Sequence, residues 1–182
     1  MTLIEPTAEE RVVARRAAES RATIPTLELS VELPAPPSTG RLLSACAQAL
    51  RQHPRANGAY RDGRFELYSR VNLGLVVAEG GRYLIPTLFD ADQSSAAELE
   101  QRAERLSAEA LAGRLAAPSF AGATFTVWNA GRLGLAGAAL PVVPPQAGVL
   151  VAGLRTLTLA CDHRILYGEA AAAFLTAVTA GL

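Results

Sequence analysis

Residues 148–168 read Gly-Val-Leu-Val-Ala-Gly-Leu-Arg-Thr-Leu-Thr-Leu-Ala-Cys-Asp-His-Arg-Ile-Leu-Tyr-Gly. Two short apolar runs, Gly148–Leu154 and Thr156–Cys161, have the length and composition of buried strands. The second run ends on Asp162-His163-Arg164, and Gly168 introduces an Ala-rich segment that reads as a closing helix. Strand, polar turn and helix in this order place one histidine at the end of a strand.

Working outward, Thr26–Leu33 alternates Leu27, Leu29, Val31 and Leu33 with polar residues, the period-two pattern of a half-buried strand. Before it, Thr7–Thr23 reads as a helix, with Thr7 and Glu10 at capping-box spacing and Pro25 as the stop. Arg41–Gln52 sets Leu42, Leu43, Cys46, Ala49 and Leu50 at helical spacing. Pro54 and Asn57-Gly58 mark a turn. Short strands follow at Phe65–Ser69, Val71–Ala78 and Tyr83–Leu88, the last two separated by Gly80-Gly81. Ser95 with Glu98 opens a helix to about Arg114, Thr124–Trp128 is a strand, and a Gly/Ala/Pro-rich loop leads to Gln146. The pattern predicts an α/β two-layer sandwich whose sheet is mixed or antiparallel.

Composition narrows the function. The 182 residues suit a single domain, half are hydrophobic, and the formal net charge is zero. Nucleic-acid binding needs a basic surplus that is absent here. All 17 cationic side chains are arginine, which excludes Schiff-base chemistry and a P-loop lysine. Cys46 and Cys161 lie in apolar surroundings and read as buried thiols in a cytoplasmic protein. No signal-type core or membrane-length apolar run occurs.

Only two histidines are available for proton transfer, His53 and His163. His53 follows a helix and precedes Pro54, which suits a solvated helix-end residue. Imidazole is the side chain whose ordinary range lies near neutral pH, so a histidine positioned as His163 is can take a proton from a thiol or hydroxyl. Cys46, His53, Cys161 and His163 match no zinc spacing, so no metal site is expected. Gly131, Gly134 and Gly137 lack the dinucleotide fingerprint, and no nucleophile elbow is present.

Several segments together carry a resemblance. Phe125–Gly131 (FTVWNAG) resembles F-T-I-S-N-L-G, Pro144–Leu150 (PPQAGVL) resembles N-P-P-Q-A-A-I-L, and Asp162–Gly168 (DHRILYG) resembles D-H-R-V-I-D-G. Val71–Val77 and Leu84–Asp92 are similar to V-N-I-G-I-A-V and L-I-V-P-V-I-R-D-A-D, and Arg15-Arg16, Ile24-Pro25 and His53-Pro54 fall in the same order. The chain thereby resembles the dihydrolipoamide acyltransferase (E2) catalytic domain, which shares its fold with chloramphenicol acetyltransferase. The resemblance implies a mixed sheet flanked by helices and a homotrimer with active sites at subunit interfaces. It implies no bound cofactor, with acetyl-CoA or another acyl-CoA as co-substrate, and makes the residue matching His163 the general base. Asn129, Gly131, Gln146, Asp162 and Arg164 then fall along the acyl channel.

Three departures stand out. The serine that would donate to the oxyanion is Trp128, whose indole either donates in its place or only reshapes the acceptor pocket. The aspartate of D-G is Tyr167, which keeps a hydroxyl but not a charge; Arg15 and Arg16, the places to seek its partner, also read as surface charges. Residues 1–182 are expected to form one catalytic domain, without a lipoyl or subunit-binding domain or the cage-forming tail. These features suggest a discrete transferase acting on a small-molecule hydroxyl, for example of a natural-product intermediate such as a tetronate. A lipoyl acyltransferase served in trans and a non-catalytic scaffold are the other readings.

Overall fold

The computed structural model describes residues 2–182. Six strands form one sheet in the order β1-β10-β9-β8-β4-β7, from β1 (Thr26–Glu32), β4 (Leu73–Leu75), β7 (Thr87–Leu88), β8 (Phe125–Asn129), β9 (Gly148–Ala152) and β10 (Thr156–Asp162). β8 runs parallel to β4 and to β9, and the other pairs are antiparallel, so the sheet is mixed. Two hairpins stand off it: β2 (Gly58–Arg61) with β3 (Arg64–Leu67), and β5 (Val77–Glu79) with β6 (Arg82–Leu84).

Helices α2 (Thr39–Gln52), α3 (Ala96–Leu111) and α4 (Gly168–Ala180) build the main core. Leu42, Leu43 and Leu50 of α2 meet Leu157, Leu159 and Cys161 of β10 and Phe125 of β8 there, with Phe125 edge-on to Phe174 of α4. The opposite sheet face carries a smaller cluster, in which Ile24, Val142, Val149, Val151 and Ala160 take the half-buried Trp128. Alternation along β9 and β10 divides the two clusters, as a period of two requires.

The expected capping boxes at Thr7/Glu10 and Ser95/Glu98 both form. The expected turn forms over Pro54–Asn57, where the Asn57 N–H donates to the Pro54 carbonyl at 3.1 Å, and Gly58 then opens strand β2, which reverses at Asp62-Gly63, where both residues adopt positive φ (48° and 75°) and so match a hairpin's right-handed twist. Three expectations are corrected. The run Val71–Ala78 splits: Leu73–Leu75 joins the main sheet and Val77–Glu79 leaves it in a hairpin. Tyr83–Leu88 splits likewise around Pro86, which has no N–H for a ladder and whose carbonyl instead accepts from Leu75 N–H at 2.8 Å. His53 ends α2 as expected, but it is half-buried and sits edge-on to Phe174 rather than fully in water.

Both cysteines are buried and unpaired. Burial pushes the Cys161 thiol up to about 12, with the neighbouring Asp162 charge adding to it, and pushes Cys46 higher still. Neither is a nucleophile near neutrality. An unfolded thiol loses its proton above about pH 8.5, whereas these folded thiols keep theirs. The unfolded chain then binds fewer protons, so their contribution to stability falls as pH rises through and beyond that value. Urea denaturation at pH 7 and pH 10 is expected to show a loss of stability that is smaller in the Cys46→Ala/Cys161→Ala variant.

Candidate active site

β10 ends in a turn whose geometry follows from its own backbone. The Asp162 carbonyl accepts from Ile165 N–H (3.1 Å) and Leu166 N–H (2.9 Å), while Ile165 and Leu166 are fully buried as anchors. Between these anchors and the strand, His163 projects as an exposed residue. Its backbone N–H donates to the Pro25 carbonyl at 2.9 Å, which ties it to the segment entering β1. The imidazole is therefore held by main chain on a rigid strand end yet remains open to solvent.

Asp162 is 1% exposed and faces Arg164 in a fork: Arg164 Nε donates to Oδ1 at 2.9 Å and Nη2 to Oδ2 at 2.7 Å. Oδ1 also accepts from the Arg164 backbone N–H at 3.0 Å. The Arg164 guanidinium lies 4.8 Å from the Tyr60 ring centre on β2. The hydrogen bond to Asp162 raises the arginine above its usual range, so it is cationic at any working pH. Both groups are thus engaged with each other and brace the turn beneath His163.

Tyr167 stands edge-on to His163, with ring centres 6.2 Å apart at 78°. Its hydroxyl accepts from Arg55 Nη1 at 3.3 Å, and Arg55 in turn covers the Phe65 ring at 5.0 Å. The sequence pattern gives no sign of a role for Arg55. It leaves the segment after α2, 112 positions from Tyr167, and no local pattern signals that approach. Arg16 pairs instead with Glu19 at 3.2 Å on the exposed first helix, α1 (Ala8–Thr23), in line with a surface role.

Gln146 is 4% exposed and internally satisfied: its Oε1 accepts from Thr126 Oγ1 at 2.7 Å and its Nε2 donates to the Ala123 carbonyl at 3.3 Å. Gly148 pairs with Cys161, and the Ala147 carbonyl accepts from Asp162 N–H at 2.8 Å. Gln146, Asp162, His163, Arg164 and Tyr167 therefore share one end of the sheet.

Trp128, Asn129 and Gly131 lie at the other end. Trp128 pairs with Val151, and Val151 with Thr158, five residues short of His163. At about 3.3 Å per residue that is roughly 16 Å along the strands. Asn129 Nδ2 donates to the Pro37 carbonyl (3.1 Å) and to Thr39 Oγ1 (3.2 Å), which ties β8 to the start of α2. Its Oδ1 is buried without a partner. Gly131 sits where a side-chain carbon would lie 3.2 Å from the Gly153 backbone. The site residues named from the sequence thus form two groups within one chain.

No cluster of three or more His, Cys, Asp or Glu side chains suited to a metal occurs among the described residues, and no helix there is long and apolar enough to cross a membrane.

The chain thus combines a mixed sheet, helices on one face and an exposed histidine at a strand end. Residues 38–155 match the family model for the 2-oxoacid dehydrogenases acyltransferase (catalytic domain), and the chain belongs to that family. It is 28% identical over 92% of its length to the dihydrolipoyllysine-residue acetyltransferase component of the pyruvate dehydrogenase complex of Zymomonas mobilis, and spans 46% of that relative. Its fold matches a probable dihydrolipoamide acetyltransferase from Listeria monocytogenes with a TM-score of 0.92 at 23% identity, covering all of this chain and 94% of that one. A chloramphenicol acetyltransferase aligns over 100% of this chain and 99% of its own at a TM-score of 0.57 and 12% identity, a likeness of fold.

Breaking the fork leaves a buried charge unpaired or a cation without its anchor. Asp162→Ala is expected to lower unfolding stability by about 3 kcal/mol, the low end for a buried pair because Arg164 keeps a third of its side chain in water. Urea titration measures it.

Proposed function

We propose that the chain is a CoA-dependent acyltransferase that moves an acetyl group from acetyl-CoA to a hydroxyl of a small molecule, with His163 as general base. The observation that carries this reading is the placement of His163: exposed, fixed through its backbone, and braced by the Asp162–Arg164 fork. In the reaction, the imidazole takes the hydroxyl proton as the oxygen attacks the thioester carbonyl. The tetrahedral oxyanion collapses with cleavage of the C–S bond, and the imidazolium returns the proton to the departing CoA sulfur.

The oxyanion needs a fixed donor, and removing such a donor costs about 3–4 kcal/mol of barrier in typical enzymes. Trp128 is the candidate, and its indole N–H makes no hydrogen bond within the described residues. It is about 16 Å along the sheet from its own chain's His163, so the two meet only if a second copy brings its Trp128 to this turn. The proposed working form is a homotrimer with sites between subunits. The replacements at Trp128 and Tyr167 favour a non-lipoyl acceptor, which a natural-product hydroxyl would supply. The similarity to the dihydrolipoyllysine-residue acetyltransferase of Zymomonas mobilis favours a second reading, transfer to a dihydrolipoyl group.

Thiol release from acetyl-CoA, measured with dihydrolipoamide and with a panel of primary alcohols, separates the two readings. His163→Ala is expected to lower the rate by at least about a hundredfold. No transfer to any acceptor, or an unchanged His163→Ala rate, rejects the proposal. Mixing inactive His163→Ala and Trp128→Ala chains after co-refolding is expected to restore a fraction of activity, because some interfaces then carry both native residues. Failure of any mixture to recover activity rejects the composite site.

A further inference from the structure

The side-chain contacts beside His163 close into a circuit. Tyr167 stands edge-on to the imidazole, and its hydroxyl accepts from Arg55 Nη1 at 3.3 Å. The Arg55 guanidinium lies 5.0 Å from the centre of the Phe65 ring, and Phe65 tilts against Tyr60 with ring centres 6.1 Å apart. Tyr60 carries the Arg164 guanidinium at 4.8 Å, and Arg164 follows His163 in the chain. Phe65, Tyr167, Arg55 and His163 are exposed, so this circuit borders open surface next to the imidazole.

Its two cations differ in one respect. Arg164 is neutralised by the Asp162 fork, and Arg61 on the same hairpin pairs with Glu66. Arg55 makes no ion pair among the described residues. Its one hydrogen bond there goes to the neutral Tyr167 hydroxyl. Yet its mount is fixed. Ala56 and Asn57 are buried, the Ala56 N–H donates to the His53 carbonyl at 2.9 Å, and Asn57 Nδ2 donates to the Tyr68 and Arg70 carbonyls at 3.0 and 2.9 Å. A guanidinium held by an aromatic face and a phenol, with no counter-ion, keeps a planar fork of donors ready for a carboxylate. The phosphates of CoA suit it poorly. The whole pantetheine arm separates them from the reacting carbonyl, whereas a single tyrosine separates Arg55 from the imidazole.

We propose that Arg55 recognises the charge of the acceptor: the molecule acetylated is an anionic alcohol, carrying a carboxylate or an equally acidic group that the guanidinium binds while the hydroxyl meets His163. The inference rests on the acyltransferase reading and deepens it by naming the acceptor class. It also separates that class from dihydrolipoamide, whose amide is neutral and gives Arg55 no anion.

The probes are hydroxy acids of three to eight carbons, each matched with its methyl ester. Isothermal titration of the full chain measures their binding without turnover, and thiol release from acetyl-CoA measures transfer. The best acid is expected to bind at least about tenfold tighter than its ester, and to be acetylated with a kcat/KM higher by a similar factor. Arg55→Gln is expected to remove that acid-over-ester ratio, chiefly through KM. Arg55→Lys, a point charge without the fork, is expected to keep only part of it; circular dichroism checks both folds. Equal binding of acids and esters, or of neither, overturns the proposal. So does a preference for acids that survives Arg55→Gln. A rise in the KM for acetyl-CoA in Arg55→Gln, with the acid-over-ester ratio intact, assigns the arginine to a CoA phosphate and also overturns it. Arg55-dependent binding of an acid without any transfer keeps the anion site and loses only the catalytic reading.

Discussion

The register of β10 between β1 and β9 is the constraint on which the site depends. Seven residue pairs fix one side and five the other, and the backbone contacts of Asp162 with Ala147 and of His163 with Pro25 extend both ladders past the strand end. Side chains on a strand alternate, so a one-residue slip would turn Leu157, Leu159 and Cys161 away from the helices and expose apolar surface worth about 2 kcal/mol for each large side chain. The apolar face thus sets where the strand stops, and the point where it stops decides that Asp162 is buried and His163 is not. The position of His163 is a consequence of core packing rather than of any contact the imidazole makes.

The turn after β10 uses the same economy. Asp162 employs its carbonyl for Ile165 and Leu166 and its carboxylate for Arg164, and the His163 imidazole makes no hydrogen bond to it within the described residues. Aromatic contact from Tyr167 supplies the nearest lateral restraint, and Arg55 steadies that ring through its hydroxyl. A neutral hydroxyl beside an exposed arginine involves no buried charge pair. The arrangement therefore avoids the desolvation cost that a carboxylate–arginine pair would carry in a drier site.

Much of the scaffold was legible because its signals are local. The Thr7–Glu10 and Ser95–Glu98 boxes, the alternation of Leu27, Leu29 and Val31, and the apolar runs before His163 each depend on neighbours a few residues apart. The hairpin of β2 and β3 was missed although Asp62-Gly63 is a strong turn pair, because Asn57-Gly58 offers the same chemistry five residues earlier and Gly58 proved to be a strand residue facing the Glu66 carbonyl and Ile165. Val71–Ala78 is one apolar run in sequence, and nothing in it marks where the chain leaves the sheet; Pro86 on the partner side does. For the site, motif order pointed to His163 and its neighbours, but Arg55 reaches Tyr167 by a contact between distant segments, which spacing cannot encode.

The division of the named residues between two ends of the sheet has its own physical weight. Closing about 16 Å inside one chain would require breaking the β8–β9 and β9–β10 ladders, and Trp128 is additionally held by Val149, Val151 and Ala160 while Asn129 is tied to Pro37 and Thr39. No side-chain rotation or loop movement spans that gap. Trp128 therefore either acts on another copy's His163 or takes no part in the chemistry at all. On the first alternative, catalysis and assembly are one equilibrium, and dilution removes the active site before it unfolds a single chain. On the second, Trp128 is a packing residue that fills the smaller core on that face of the sheet.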